Sequence, residues 1–273
     1  MIDVRRILAG LVLSTLIGGL AYRRNSLSAS GWLGAIITGT LTFGFGGWTW
    51  GATLVAFFVS SSALSHVRQA QKQRLAGEKF EKGGRRDLWQ TLANGGPGAL
   101  LALVYGLAGE PLALLLAFAG VMATVTADTW ATELGVLSPT PPRLITSGQR
   151  VAPGTSGGVT ALGLGASLAG ALLIGACLVL LYRAEHGAWA FLPLPAALLG
   201  GTAGSLADSL LGATLQAIYR TASGGETERR TDSAGHALAS MRGWRWMNND
   251  MVNMLSSLLG GVAALALGRA LGG

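Results

Sequence analysis

The sequence predicts an all-α, polytopic integral membrane helix bundle with about seven or eight transmembrane helices, forming a single domain over residues 1–273. Half of the residues are hydrophobic, only 12% are charged, and the mean hydropathy is +0.47. The 42 glycines follow no periodic repeat, and small residues of this kind let membrane helices pack closely. A lipid bilayer is therefore the expected surrounding of most of the chain.

Eight apolar runs follow one another along the chain, and most of them are long enough to cross about 30 Å of hydrocarbon. The first run resembles a signal peptide, but Arg23 and Arg24 follow it directly without a small-residue cleavage site, which predicts a retained helix. Only residues 43–47 separate the second run from the third, so a re-entrant hairpin, giving seven spans, is the alternative for this pair. The runs lie near residues 7–22, 31–45, 48–65, 90–108, 112–135, 159–182, 194–219 and 250–271.

The basic residues predict the orientation of the spans. With eight spans, four loops share one side of the membrane and contain sixteen of the twenty Lys and Arg residues. The positive-inside rule places these loops in the cytoplasm and both termini outside. The net charge of +7 is thereby assigned to topology, and no nucleic-acid partner is expected. The four loops are 23–30, 66–89, 136–158 and 220–249, and we interpret Lys72, Arg74, Lys79 and Lys82 as solvated, topogenic charges.

A few polar side chains interrupt the apolar runs, where lipid would penalise them, so they should face a packed or wet interior. Asn94, Asp128, Asp208 and Asp250 each share a helix face with small residues four positions apart. Such stripes are where membrane helices touch, which predicts that these side chains point into the bundle. The polar residues of the spans are Asn94, Asp128, Glu133, Asp208, Asn249, Asp250 and Asn253.

The predicted topology brings these polar residues toward one cytoplasmic cleft. Asn94 and Asp250 lie near the starts of their helices and Asp128 near an end, while Asp208 lies about 16 Å from the end of its run. Interhelical hydrogen bonding would explain a single Asn. Three acids in one layer would repel one another unless a cation or a proton lay among them, so a metal site is the favoured interpretation.

A glycine-rich loop lies on the same predicted face. Residues 141–158 read PPRLITSGQRVAPGTSGG and end at the start of the sixth helix, whose positive end favours an anion. A turn with an ordinary helix cap is the simpler interpretation of this string alone. Beside the acidic layer, it favours phosphoryl transfer on a lipid substrate. The residues expected to hold phosphate are Thr155, Ser156, Gly157 and Gly158, flanked by Arg143 and Arg150.

Five longer motifs occur in order over most of the chain from Gly31 onward. They read GRRDLWQTLANGG (84–96), ADTWATELGVLS (127–138), PPRLITSGQRVAPGTSGGVT (141–160), GSLADSLLGATLQ (204–216) and WMNNDMVNMLSSLLGG (246–261). Together they resemble the integral membrane family of animal transmembrane protein nineteen and plant phytyl-phosphate kinase, the domain of unknown function 92. In the plant branch, phytyl phosphate becomes phytyl diphosphate with a nucleoside triphosphate, preferably CTP.

The acidic layer predicts Mg²⁺ dependence, and the resemblance implies an isoprenoid-phosphate kinase that uses CTP or another nucleoside triphosphate. The accepting phosphate is already anionic near neutral pH, so no general base is required. The implied metal ligands are Asp128, Asp208 and Asp250, assisted by Glu133. The implied ligands of the nucleotide and the isoprenoid monophosphate are Asn94, Asn249, Asn253, Arg143, Arg150, Thr155, Ser156, Gly157 and Gly158.

A transporter or flippase of a phosphorylated lipid is the alternative, because intramembrane acids and a phosphate loop also suit a carrier. Carriers tend to keep their sites near the bilayer midplane, so acids near one face favour an enzyme. The sequence leaves open the nucleotide, the prenyl chain and the oligomeric state, a homo-oligomer included.

Overall fold

A computed structural model describes residues 3–81, 84–221 and 224–271, so Lys82 lies outside the described residues. The helices of this described part are α1 (Val4–Arg23), α2 (Ala29–His66), α3 (Gln69–Ala76), α4 (Leu88–Leu107), α5 (Leu112–Gly135), α6 (Ala161–His186), α7 (Pro193–Thr214) and α8 (Asn249–Ala270). Short strands lie in the loops: β1 (Arg143–Leu144), β2 (Gly158–Val159), β3 (Ile218–Arg220), β4 (Glu226–Thr227) and β5 (Ala239–Arg242). Strands β1 and β2 pair antiparallel, and β3 lies between β4 and β5 in an antiparallel sheet.

The predicted all-α membrane bundle is confirmed. In the described part of the chain, α1, α5, α6 and α8 are long and apolar enough to cross a membrane, and the pair of α2 and α3, bent by 75°, would add a fifth span. Each of the eight predicted apolar runs falls on a helix or on one half of α2. The predicted seven or eight spans are roughly compatible with this architecture.

Helix α2 is a helical hairpin that reverses at Gly47. This residue has φ +80° and ψ −164°, which breaks the helix in a backbone region that glycine adopts most readily. A Cβ added at Gly51 would lie 2.3 Å from the side chain of Phe43. Eight residues of straight helix would separate these positions by about 12 Å, so the chain must turn back between them.

The open end of the hairpin is joined through Arg86. A Cβ added at Gly31, in the first half of α2, would lie 2.0 Å from the Arg86 carbonyl oxygen. The Arg86 guanidinium donates to Ser62 Oγ, in the second half, at 2.9 Å. One residue thus contacts both ends of a 38-residue segment, which shows that its two halves run antiparallel.

The turn of the hairpin lies at the far end of the bundle. The Glu185 carboxylate, in the last turn of α6, accepts from the backbone N–H groups of Trp48 at 3.0 Å and Thr49 at 2.7 Å. The Arg6 guanidinium, near the start of α1, lies 3.8 Å from the Glu110 carboxylate after α4. It also lies beside the hairpin turn. The hairpin therefore crosses the whole bundle, which favours two spans over a re-entrant loop.

The loops predicted to share one side meet at the opposite end. Leu27 and Arg86 form a parallel backbone bridge. The ammonium group of Lys79 donates to Thr155 Oγ1 at 2.6 Å, and the Lys79 carbonyl accepts from the Glu228 N–H at 2.8 Å. Backbone and side-chain bonds thus join segments from 23–30, 66–89, 136–158 and 220–249 into one polar layer.

Helix α7 ends earlier than its apolar run predicts. The helix stops at Thr214, and Ile218 begins a strand whose neighbour Ala217 donates to the Met247 carbonyl at 2.8 Å. The last apolar residues of the run are buried by the loop layer instead of lipid. Asp208 consequently lies about 9 Å from its helix end and not the predicted 16 Å, which matches the depth of Asp128, about 10 Å from the end of α5.

Candidate functional site

Three helices approach one another closely at three glycines and thereby fix the depth of the acids. A Cβ added at Gly120 of α5 would lie 2.3 Å from the Gly260 carbonyl oxygen of α8, and one at Gly200 of α7 would lie 2.6 Å from the same oxygen. Only residues without a side chain permit this approach. Asp128 and Asp208 follow Gly120 and Gly200 by eight residues, so both lie about 12 Å nearer to the loop layer.

Asp128 and Asp208 form a carboxyl pair at the centre of the site. Their side chains lie within hydrogen-bonding reach of each other, and Ser256 Oγ donates to Asp208 Oδ2 at 2.9 Å. Two carboxylates in contact repel each other unless a proton or a cation lies with them. The structure thus brings together two of the three aspartates that the sequence grouped as metal ligands.

The predicted amides adjoin this pair. Asn253 Nδ2 lies 3.2 Å from Asn94 Oδ1, which connects α8 with α4. In the other amide orientation the Asn253 nitrogen donates to Asp208 Oδ2 at 3.3 Å and to the Asn249 carbonyl at 3.2 Å. In either orientation, Asn253 lies between the carboxyl pair and Asn94.

A polar cavity of about 270 Å³ opens beside the carboxyl pair, between the helix ends and the loop layer. It gathers most of the predicted polar residues of three helices and the whole predicted phosphate segment. It also contains residues that sequence reasoning did not select. The predicted lining residues are Asp128, Glu133, Thr155, Ser156, Gly157, Gly158, Asp208, Asn249 and Asn253, and the unpredicted ones include Arg86, Gln90, Gln216 and Glu228.

The phosphate segment is pressed against the end of α7. A Cβ added at Gly157, which has φ +83°, would lie 2.4 Å from the Ala213 side chain, and Ser156 Oγ donates to the Gln216 side chain. The N–H groups of Thr155 and Gly158 donate within the loop, to Ala152 and Thr155 carbonyls. In the described part of the chain, the N–H groups of Ser156 and Gly157 have no such acceptor. These two N–H groups and the Thr155 hydroxyl, which accepts from Lys79, are therefore the groups of the segment that remain available to a ligand.

Lys79 and Arg242 hold this segment from two sides. Lys79 contacts the Thr155 hydroxyl, and Arg242 donates to the Gly212 carbonyl at 2.6 Å and the Ser156 carbonyl at 3.3 Å. Burial lowers the pKa of Lys79 from its usual value, and the nearby carboxylate of Glu226 opposes this effect. Lys79 is therefore not simply solvated as the sequence suggested, because its ammonium group contacts the segment that contains Thr155.

Glu133 is already paired. Its carboxylate lies 2.5 Å from the Lys72 ammonium and accepts from Ser65 Oγ at 2.5 Å. Lys72 also donates to the Leu64 carbonyl at 2.6 Å and is only 9% exposed. Lys72 is therefore not solvated either, and it ties the 66–89 loop to α5. A Glu133 that already has a cation is poorly suited to assist a metal.

Glu228 was missed by sequence reasoning. Its Oε1 accepts from Gln216 Nε2 at 2.8 Å and its Oε2 from the Glu81 N–H at 3.3 Å. Burial raises the pKa of Glu228 to about 7, and these hydrogen bonds oppose the rise. No signal in a polar, charge-rich loop separates this acid from neighbouring acids such as Glu226, because its environment depends on contacts with distant segments.

Besides Asn94, which contacts Asn253 but does not itself line the cavity, three predicted site residues do not reach it. The arginines Arg143 and Arg150 are exposed and face each other across a backbone bridge, so their prediction as cavity-lining phosphate ligands is not supported by their position. Asp250 is buried in the first turn of α8 but does not line the cavity. Among residues 3–81, 84–221 and 224–271, no group of three or more His, Cys, Asp or Glu side chains is arranged to hold a metal ion. The predicted three-aspartate cluster is corrected to a pair.

The remaining donor set still fits Mg²⁺ in the manner common for phosphate-transferring sites. Mg²⁺ is usually bound through one or two carboxylates and the phosphates of a substrate, with water completing the octahedron. Asp128 and Asp208 supply the carboxylates, and the amide side chains of Asn249 and Asn253 line the same cavity. Backbone N–H groups without an acceptor among the described residues lie in the same cavity, at Ser156 and Gly157.

Comparisons with known proteins agree with this architecture. The family described as integral membrane protein DUF92 matches residues 12–261. Protein PGR of Arabidopsis thaliana is 36% identical over 230 residues, which are 77% of this chain and 79% of that protein. An uncharacterized membrane protein of Methanocaldococcus jannaschii is 29% identical over 262 residues, 96% of this chain and 94% of that protein. Protein VTE6, chloroplastic, of Arabidopsis thaliana is 27% identical over 249 residues, 88% of this chain and 65% of that protein.

No solved structure matches this chain. The family match begins in the first membrane helix and extends into the last, so it includes every segment that lines the polar cavity. It confirms the resemblance that the five sequence motifs indicate. The chain belongs to the DUF92 family of integral membrane proteins.

Proposed function

We propose that this protein is an isoprenoid-phosphate kinase, which transfers the γ-phosphoryl group of CTP or another nucleoside triphosphate to an isoprenoid monophosphate. One observation carries the proposal. The carboxyl pair of Asp128 and Asp208 lies in the same cavity as the segment Thr155, Ser156 and Gly157. This cavity lies at the end of the bundle that the loop layer covers. A cation site and a phosphate site in one cavity are the parts that phosphoryl transfer requires.

The charges of the cavity support two anionic substrates. Lys79 lies against the phosphate segment, and Arg86 lines the cavity on the side of α4. Hydrogen bonds from cations to phosphate are among the strongest available to a protein. We assign Lys79, with the N–H groups of Ser156 and Gly157, to the nucleotide phosphates, and Arg86 to the phosphate of the lipid.

The proposed reaction exchanges one P–O bond for another. An oxygen of the isoprenoid monophosphate forms a bond to the γ-phosphorus, and the bond from that phosphorus to the β–γ bridging oxygen breaks, leaving the nucleoside diphosphate. The accepting phosphate has a second pKa of about 6, so it is mostly dianionic above pH 7 and requires no general base. Bound Mg²⁺ would supply charge neutralisation for the phosphates, held by Asp128 and Asp208.

Two further points favour a lipid kinase in this membrane. The five motifs resemble those of plant phytyl-phosphate kinase, and all five contain residues that line the cavity: Arg86, Asp128, Ser156, Asp208 and Asn253 among others. The basic loops around the cavity favour a cytoplasmic orientation, in which the nucleotide has direct access. A substrate with a long apolar tail would reach the same cavity from the bilayer.

The test uses purified protein in detergent with farnesyl, geranylgeranyl or phytyl monophosphate, CTP and Mg²⁺. We expect the isoprenoid diphosphate and CDP in equal amounts, detected by mass spectrometry, and no product after EDTA is added. Detergent solution has no two compartments, so a carrier shows no net reaction there. Absence of product with each lipid and all four nucleotides, together with lipid-phosphate movement in proteoliposomes, would refute the kinase and support the flippase.

A further inference from the structure

A second cavity, also of about 270 Å³, lies between α1, the α2 hairpin and α4. Its walls are apolar, in contrast to the polar cavity beside the carboxyl pair. Both halves of the hairpin contribute to it, so it exists only because the chain reverses at Gly47. Its side-chain lining includes Leu13 and Ile17 of α1 and Phe43, Leu54, Phe57 and Phe58 of α2.

The apolar and polar cavities adjoin at the start of α4. Arg86 and Gln90 line both of them. One turn further along, Asn94 lines the apolar cavity and lies 3.2 Å from Asn253, which lines the polar one. A molecule that occupied both cavities would therefore pass Arg86 and Gln90.

A cation lies at this junction. The Arg86 guanidinium donates to Ser62 Oγ at 2.9 Å and lies 5.7 Å from the centre of the Phe58 ring. An apolar cavity that is filled only by the tails of bulk lipid needs no charged group where it adjoins the polar cavity. A guanidinium between an apolar and a polar cavity matches an amphiphile whose anionic head adjoins a hydrocarbon tail.

The lining of the apolar cavity extends along the helix axes toward the hairpin turn. Its lining positions on α1 run from Gly10 to Gly18, which corresponds to about 12 Å of helix. Its far end contains Phe43 and Trp48, whose rings pack edge to face with centroids 4.5 Å apart. A chain that enters at Arg86 would thus run toward this aromatic pair.

We infer that this cavity binds the hydrocarbon tail of the lipid monophosphate, with Arg86 at the phosphate and the pair of Phe43 and Trp48 beyond the end of the tail. The inference rests on the proposed function for the identity of the head group. It adds the location of the tail, and it assigns selection for chain length to the distance between Arg86 and the aromatic pair.

The experiment uses a farnesyl-like monophosphate with a diazirine at the end of its tail, irradiated with purified protein in detergent. Labelled peptides are identified by mass spectrometry. We expect labels on α1 or α2 between the hairpin turn and Phe58, suppressed by unlabelled farnesyl monophosphate. Labels confined to the outer faces of α6 or α7, or no competed label, would overturn the inference.

A matched pair of variants tests the cavity itself. Ala52→Phe adds a ring to a lining position, whereas Val59→Phe places one at a position that is 55% exposed and outside the cavity on the same half of α2. We expect Ala52→Phe to reduce competed labelling and to raise KM for farnesyl monophosphate by about fivefold or more, equivalent to about 1 kcal/mol. KM for the five-carbon dimethylallyl monophosphate and for the nucleotide should not change, and circular dichroism confirms folding. Val55→Phe, at a second lining position, repeats the test.

The outcomes distinguish the two proposals. Tail labelling that Ala52→Phe reduces, without any phosphoryl transfer by the wild type, would refute the kinase and keep the tail site. Phosphoryl transfer that is insensitive to Ala52→Phe and Val55→Phe for every chain length would keep the kinase and overturn the tail site.

Discussion

The ammonium group of Lys72 lies 2.5 Å from the Glu133 carboxylate, and this contact fastens the loop after the helical hairpin to the helix that contains Asp128. Lys72→Met should destabilise the protein by up to about 3 kcal/mol, because Glu133 would keep a partly buried charge without its cation. Glu133→Gln in the same chain should recover part of the loss. Thermal unfolding of both single variants and the double variant in detergent gives the coupling energy. Additive effects would show that the ion pair contributes little.

The carboxyl pair predicts a difference between two aspartates that the sequence treated alike. Asp208→Asn should abolish phosphoryl transfer without unfolding the protein, because the amide keeps the shape and loses the charge that a hard cation requires. Asp250→Asn is the comparison, since Asp250 does not line the cavity. We expect it to retain activity and an unchanged Mg²⁺ dependence. Equal loss in both variants would restore the three-aspartate interpretation.

The close contact of α5 and α7 predicts that Gly204 tolerates no side chain. A Cβ added there would lie 2.1 Å from Thr124 Oγ1, so Gly204→Ala should cost about 1–3 kcal/mol and lower activity by separating the carboxyl pair. Gly165→Ala in α6 meets nothing within 4 Å and should be neutral or slightly stabilising. Melting temperatures of the two variants test this contrast, which would fail if they shifted alike.

The buried Glu228 predicts a dependence of stability on pH. Its pKa is raised from 4.5 to about 7, so the folded state holds a proton that the unfolded state releases between these values. The contribution of Glu228 to the free energy of unfolding is therefore fully present below about pH 4.5. It declines as the pH rises to about 7, by roughly 3 kcal/mol at most. Glu228→Gln should remove this decline and stabilise the protein at pH 8. Glu226→Gln is the control for loss of a loop carboxylate and should retain the decline.

The orientation of the bundle predicts which cysteines an impermeant thiol reagent reaches in intact cells. With Cys177→Ala as the background, a cysteine at Gln71 should resist labelling, whereas one at Gly187 should react. Both positions are exposed, and they lie at opposite ends of the bundle. Equal labelling of both, or the reverse pattern, would contradict the cytoplasmic orientation of the polar cavity.

The sequence alone determined the class of the protein and the placement of its helices. Apolar runs long enough to cross the bilayer are local properties of the sequence, and so are basic residues in every second loop. Lipid acts on each of these segments separately. The glycine stripes also determined which faces of the helices pack. The approach of Gly120 and Gly200 follows from these stripes, and so does the inward direction of Asp128 and Asp208, whereas the closest approach of α8 is at Gly260, next to the Gly261 of its predicted stripe.

The tertiary structure alone decided which of the polar residues share a site. The sequence indicated that Asp250 and Glu133 lie at the same end as Asp208, but the rotation of α8 and the reach of Lys72 depend on how separate helices and loops pack. The burial of Glu228 and the apolar cavity behind Arg86 likewise require segments far apart in the chain. Residue spacing determines direction along one helix, whereas distances between helices follow only from packing of the whole bundle.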